Sequence, residues 1–239
     1  MDLRIEDVAQ LLDVSESTIH QWLEEGSIPA YRLRQRDEEW RFSRGEIERW
    51  LIHNGPAGMS KGAFCDEEAS EDRSSHQGGH RPFALFRALH RGLVLDKVVG
   101  QEKEPFIAEV MAQVANPLDL DAIGMTDLLL DREKLEPTAI GRGIAIPHTR
   151  DFLLNRPYDL LVLAYANPPL AYGALDELPV HTLFFLFAAN DRSHLHLLAK
   201  VAHFVAQPGT IEWLREQPNK KALLERMRQW EGKLLAHLQ

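Results

Sequence analysis

Cysteine is almost missing from this chain: a single Cys65 in 239 residues rules out an intramolecular disulfide framework and any zinc site built from several thiolates. The chain therefore reads as one from a reducing compartment, the cytoplasm by default. Long apolar runs are missing too. The stretch from Leu160 to Leu175 is broken by Asn167, Pro168 and Pro169, and Leu183 to Ala189 is far short of the roughly 20 residues a spanning helix needs, so no membrane insertion is expected. Met1 to Asp7 is acidic and mixed, unlike the basic start and apolar stretch of a secretion signal. Positive charge is in deficit, with 27 Lys and Arg against 36 Asp and Glu and a net charge of -9. No global positive field draws such a chain to nucleic acid, so any DNA contact must be local. The remaining composition, 44% apolar and 26% charged, is that of a globular protein long enough for more than one core.

Periodicity lapses between Asn54 and Pro82, where Gly, Ser, Pro and acidic residues crowd out apolar anchors. Such a segment cannot bury enough surface to offset the entropy of ordering, and residues 55–82 are expected to form a flexible acidic linker. Cys65, His76 and His80 lie inside it at a spacing that matches no standard metal site, and read as solvated. The linker divides the chain into a small N-terminal domain, 1–54, and a larger C-terminal one, 83–239.

In the small domain Ile5, Val8, Ala9, Leu11 and Leu12 recur at helical spacing. Ser15 is placed to cap a second helix carrying Ile19, Trp22 and Leu23, which stops at Gly26. Two short helices across so tight a break predict a helix-turn-helix. Tyr31, Leu33 and the alternating Arg32, Arg34 and Arg36 give a strand period that returns through Trp40-Arg41-Phe42, a wing, and Ser43 is expected to cap a third helix with Ile47, Trp50 and Leu51. These residues, from Val8-Ala9-Gln10-Leu11-Leu12 through Gly26-Ser27-Ile28-Pro29 to Trp50-Leu51, resemble the excisionase and MerR-type winged helix-turn-helix. The resemblance implies that Ser17, Thr18, His20 and Gln21 face bases and that Arg32, Arg34 and Arg41 face the DNA backbone. Against that stands the local charge: seven arginines and twelve acids, a net of -5, where phosphate neutralisation requires an excess of cations. A folded protein-interaction module without DNA binding is the alternative.

The C-terminal domain mixes helices and strands. Helices are expected at 83–90, 105–115, 126–133, 193–206, 211–215 and 220–230, and strands at 93–96, 144–146, 160–164 and 180–187. The apolar runs Leu-Val-Leu-Ala and Leu-Phe-Phe-Leu-Phe lack alternation, which indicates strands covered on both faces of an α/β fold. Within Arg132-Glu133 … Gly143-Ile144-Ala145-Ile146-Pro147-His148, a Gly-bounded apolar strand and a φ-restricted proline deliver His148 to a strand end. Arg132, Arg142 and Arg150 lie nearby, and Arg grips phosphate oxygens with several donors at once. A neutral imidazole is a competent nucleophile near pH 7 when a hydrogen bond fixes its tautomer, so this group reads as a phosphoryl acceptor. Ser193 is expected to cap the helix that follows, with His194 facing inward beside Leu198 and Val201 and His196 facing away. A metal site of His148, His194 and His196 is the competing reading, weakened because i and i+2 on a helix cannot both face one ion.

These motifs, with Pro137-Thr138, Leu175-Asp176 and Pro179-Val180 in the same order, closely resemble the type-2 enzyme IIA domain of the bacterial phosphoenolpyruvate-dependent phosphotransferase system, the mannitol, fructose and nitrogen-regulatory branch. The resemblance covers about the last 150 residues. It implies a five-stranded mixed sheet flanked by helices and no metal or organic cofactor. It also implies that His148 is phosphorylated by the histidine phosphocarrier protein, that Arg132 stabilises the phosphoryl group and that His194 is the second active-site histidine. No segment of the sequence reads as a IIB or membrane IIC domain. A cytoplasmic regulator is therefore expected, in which phosphorylation of His148 alters how the N-terminal domain engages DNA or a regulatory target protein. The alternatives are a transport carrier that serves a separate IIB domain and a phosphorylation-dependent protein-interaction module.

Overall fold

The computed structural model describes residues 2–12, 14–32, 39–59, 83–96, 98, 100, 102–149 and 157–236. The expected linker lies outside these from residue 60 to 82, as do Arg34, Arg36 and Arg150.

The N-terminal half builds as its periodicity dictates. Helix α1 (Ile5–Leu12) buries Val8, Ala9, Leu11 and Leu12, and Ser15 caps α2 (Glu16–Glu24) by accepting the Thr18 N–H at 3.1 Å. Gly26 follows at φ +63°, the left-handed conformation that ends a helix at lowest cost for glycine. Strands β1 (Asp2–Leu3), β2 (Tyr31–Arg32) and β3 (Trp40–Ser43) pair in the order β1-β3-β2. β2 and β3 pair antiparallel, Tyr31 with Arg41 and Arg32 with Trp40, while the Leu33, Arg34 and Arg36 part of the expected alternation lies outside the described residues. β1 was not expected, because two residues carry no period. Helix α3 (Arg44–Met59) starts directly after Ser43 and buries Ile47, Trp50, Leu51 and Ile52. Trp50 packs on Trp22 with ring centroids 5.3 Å apart, and its indole N–H donates to the Ser27 carbonyl.

The C-terminal half runs α4 (Ala84–Arg91), β4 (Val94–Leu95), α5 (Lys103–Leu118), α6 (Ala122–Leu135), β5 (Ala139–Gly141), β6 (Ile144–Ala145), β7 (Leu160–Leu170), β8 (Val180–Phe187), α7 (Asp191–Ala206), α8 (Thr210–Arg215) and α9 (Lys220–Ala236). Its five strands form one mixed sheet in the order β4-β7-β8-β6-β5. β4 pairs with β7, and β6 with β8, in parallel; β7–β8 and β5–β6 are antiparallel. Every residue of β8 is buried, as are the first seven of β7. Leu161, Leu163, Tyr165, Phe184 and Leu186 join the apolar cluster that includes α4, α7 and α9, whereas Leu160, Val162, Ala164, Phe185 and Phe187 join that of α5 and α6. The two faces explain the missing alternation, and each fully buried side chain of this size contributes about 1.5–3 kcal/mol.

Three details differ from expectation. β7 continues through Asn167, Pro168 and Pro169 to Leu170. These three residues are exposed and fall where the β7–β8 ladder shifts register, so the missing proline donors cost no internal hydrogen bond. The hairpin strand β5 was not expected. Helix α7 begins two residues early, capped by Asn190 rather than Ser193: the Asn190 side chain accepts the Ser193 N–H at 3.0 Å.

The two halves share one apolar cluster. Val8, Leu12, Ile19, Phe42, Ile47 and Trp50 are continuous with Leu197, Val201 and Phe204, with α3 lying against α7 and β5, and α1 against α7. Among the described residues no helix is long and apolar enough to cross a membrane.

Candidate functional site

The last turn of α6 starts the site. Glu133, buried there, accepts the Thr138 N–H at 3.2 and 3.3 Å from its two oxygens and also the Thr138 hydroxyl, which fixes the start of β5. The Thr138 carbonyl accepts the Ile146 N–H at 3.0 Å, closing a small hairpin. At its turn Arg142 has φ 56° and Gly143 φ +84°, the pair of positive values of a two-residue hairpin connection. Only glycine fits the second position, because a Cβ there would lie 2.4 Å from the His181 ring.

Past β6, His148 forms an isolated parallel bridge to Leu186 of β8, and the Pro147 carbonyl accepts the Leu186 N–H at 2.9 Å. His148 thus leaves a strand end, held by the sheet. Its Nδ1 lies 2.7 Å from the Ile146 carbonyl. A carbonyl can only accept, so Nδ1 carries the proton and Nε2 is the atom presented to the site. The His194 ring stands edge-on to it with centroids 5.1 Å apart, projecting from the first turn of α7, where the helix dipole is positive. Arg132 is also buried. Its Nη1 donates to the Glu136 carbonyl at 2.9 Å, its Nη2 faces Glu48 at 3.5 Å, and its buried Nε has no hydrogen-bond partner among the described residues. Folding therefore brings together Arg132, His148 and His194, whereas Arg142 pairs with Glu212 at 3.7 Å.

Glu48, from α3 of the other domain, had not been singled out. Its Oε1 lies 3.1 Å from His148 Nε2. Both atoms are acceptors in their unprotonated forms, so a hydrogen must lie between them. Glu48, His148 and His194 place ligand atoms within 4.8 Å of one another, a donor set that zinc accepts. The set of His148, His194 and His196 is not formed, because His196 turns its Nδ1 to the Leu11 carbonyl of α1 at 3.3 Å. A signal for Glu48 was present: Arg44, Glu48 and Ile52 make one i, i+4, i+8 stripe beside the small domain's own apolar face.

In the N-terminal domain, Ser17, His20 and Gln21 of α2 are exposed. Thr18 is half-buried, with its hydroxyl 2.8 Å from that of Ser15, so it serves the helix cap. The Gln21 amide donates to Glu25 at 2.8 Å. Arg32 lies over the Trp40 ring at 4.3 Å, and Arg41 pairs with Glu39 at 2.7 Å, a hydrogen bond that raises the pKa of Arg41 and lowers that of Glu39. Arg34 lies outside the described residues.

Comparison with known proteins places both halves. Residues 88–230 match the family described as "Phosphoenolpyruvate-dependent sugar phosphotransferase system, EIIA 2", and residues 3–54 match a helix-turn-helix domain. A nitrogen regulatory protein of Pseudomonas aeruginosa is 33% identical over 144 residues, covering 59% of this chain and 92% of that protein. One from Escherichia coli is 30% identical over 154 residues, 62% of this chain and 91% of its own length. The crystal structure of nitrogen regulatory protein IIA-Ntr from Neisseria meningitidis superposes with a TM-score of 0.52 at 25% identity, covering 60% of this chain and 98% of that one. With the mixed sheet and the strand-end histidine already in place, these matches establish that the chain belongs to the type-2 EIIA family of the phosphoenolpyruvate-dependent phosphotransferase system and carries an N-terminal helix-turn-helix domain.

Proposed function

We propose that this protein is a cytoplasmic phosphoryl-carrier regulator: His148 Nε2 accepts a phosphoryl group from the histidine phosphocarrier protein, and its phosphorylation state governs what the N-terminal domain binds. The observation that carries this reading is the locked tautomer. With the Nδ1 proton donated to the Ile146 carbonyl at 2.7 Å, a neutral His148 must direct its lone pair through Nε2, which lies 3.1 Å from Glu48 Oε1 in a ring standing beside His194.

In the transfer, the Nε2 lone pair attacks phosphorus while the donor's N–P bond breaks and its electron pair returns to the donor nitrogen. Arg132 supplies charge for the equatorial oxygens, and its buried Nε offers a further donor. His194, at the positive end of α7, stands where an imidazole N–H reaches the same oxygens. The protein's contribution is positioning and electrostatic stabilisation, with no bond made or broken elsewhere in the chain. Incubation with phosphoenolpyruvate, enzyme I and the histidine phosphocarrier should add one acid-labile phosphoryl group, seen by mass spectrometry, that His148→Ala lacks. Failure of the wild type to gain it from active donors would defeat the reading.

The output partner is DNA or a regulatory protein. Exposed Ser17, His20 and Gln21 support DNA reading. The acidic Glu16, Glu24 and Glu25 on and beside the same helix favour a protein partner, because they repel a phosphate backbone. Filter binding against a random duplex library at low and moderate salt separates the two.

A further inference from the structure

The phosphoryl site is covered by the protein's own N-terminal domain. His148 is 0% exposed and Glu48 2%, and a partner protein cannot reach Nε2 while α3 lies on α7 and β5. We propose that Glu48 is a carboxylate stand-in for the phosphoryl group, so that docking of the helix-turn-helix domain and phosphorylation of His148 exclude one another. The inference rests on His148 being the acceptor.

Two features of Glu48 point this way. Its Oε1 contacts the accepting atom, His148 Nε2, at 3.1 Å and the anion-binding Arg132 Nη2 at 3.5 Å. One carboxylate oxygen thus meets both groups that a phosphoryl group on Nε2 would meet. The second feature is cost: a carboxylate drawn out of water into an apolar interface loses hydration that only close partners restore. Arg132 and His148 are those partners, and both come from the other domain.

Exclusion follows on three grounds. A phosphoryl group bonded to Nε2 takes the volume that Oε1 now fills. It brings a charge of about -1.5 to -2 beside a carboxylate in a buried setting, where like charges repel strongly. The hydrogen on the Glu48–His148 contact also matters, because when it resides on Nε2 it removes the lone pair that transfer requires. With the hydrogen on Nε2 the closed form is unreactive as well as inaccessible.

The rest of the contact suits a reversible dock. Around Glu48, Arg44 pairs with Asp191 at 3.1 Å, His53 and Arg49 pair with Glu136 at 2.8 and 3.5 Å, Arg192 contacts Gln10, and His196 reaches the Leu11 carbonyl. Part-exposed pairs of this kind contribute little individually and fix orientation more than strength. Ser17, His20 and Gln21 stay exposed in the docked form, so docking does not mask the recognition helix. Phosphorylation instead changes whether that helix is held at a fixed angle to the EIIA domain.

The test compares the full-length wild type, Glu48→Ala, Arg44→Glu and the charge-swapped Arg44→Glu/Asp191→Arg. Initial rates of phosphoryl uptake from the phosphocarrier and amide hydrogen exchange across α3 and the first turns of α7 are read on each. Coupling of ordinary size predicts that Glu48→Ala and Arg44→Glu take up phosphate at least roughly fivefold faster than wild type, with the swap returning most of the difference. It also predicts that phosphorylating the wild type speeds exchange in α3 and α7 to the level of unphosphorylated Glu48→Ala. Arg44 is at the rim, so its variant guards against a folding defect in Glu48→Ala. Equal rates in all four proteins, with exchange unchanged by phosphorylation, would overturn the proposal and leave the carrier reading intact. Absence of phosphoryl uptake in every protein would instead overturn the carrier reading and this proposal with it.

Discussion

Glu48 Oε1 and His148 Nε2 lie 3.1 Å apart, 100 residues apart in sequence and in different domains. The contact joins the helix-turn-helix half to the His148 nitrogen proposed above as the phosphoryl acceptor. In the proposed scheme the state of the phosphoryl site and the placement of the N-terminal domain are a single variable. That scheme needs no separate relay, because the proposed acceptor nitrogen is itself the docking point.

Replacing Arg132 with Lys keeps one positive charge but removes the fork that holds the Glu136 carbonyl and still offers donors to the site. Phosphoryl uptake should fall by about 10²-fold, the usual cost of a lost transition-state donor. Rates measured at saturating phosphocarrier check this. Unchanged uptake would place Arg132 among structural residues.

Gly143→Ala introduces a Cβ 2.4 Å from the His181 ring at a backbone φ of +84°. Strain and overpacking together should lower stability by roughly 2–4 kcal/mol. Urea unfolding followed by circular dichroism reads the midpoint shift, and a shift near zero would show that the β5–β6 turn relaxes freely.

His181 gives the protein a pH signature. Burial, and then the neighbouring Arg215, lower its pKa from 6.5 to about 4. Arg215 donates to its Nε2 at 3.3 Å, and Nδ1 faces the Thr182 hydroxyl at 2.8 Å. The folded protein holds the ring neutral while the unfolded chain protonates it, so the unfolded state binds more protons between these pKa values. The contribution of His181 to stability is complete above pH 6.5 and is lost as pH falls toward 4. Between pH 7 and 5 the wild type should lose about 2 kcal/mol more than His181→Gln. Equal losses would mean that the ring is protonated in the fold.

Where one residue's neighbours are local, the sequence showed its structure. Ser15 at its cap, Gly26 at its helix end, the unalternating β7 and β8 and the strand-end His148 all follow from spacing within a dozen residues. Where partners are distant, it did not. Strand β1 is two residues long and exists by pairing with β3, and β5 exists by pairing with β6 around the Arg142-Gly143 turn. Glu48 looked like one of twelve acids in an acidic domain. The stripe of Arg44, Glu48 and Ile52 showed that α3 has a second face, but nothing along the chain says that this face meets Arg132 and His148. The helix cap was misplaced for a smaller reason: Asn190 and Ser193 are both good cap residues three positions apart, and only the backbone shows that the Asn190 side chain takes the Ser193 N–H.

The measurement that tests the account most directly is the position of the phosphoryl group on His148. After phosphorylation of protein carrying 15N-labelled histidine, phosphorus–nitrogen correlation by NMR should show a single bond to Nε2, with Nδ1 still protonated on the Ile146 carbonyl. A phosphoryl group on Nδ1, or on His194, would contradict the locked tautomer and the role given to Glu48.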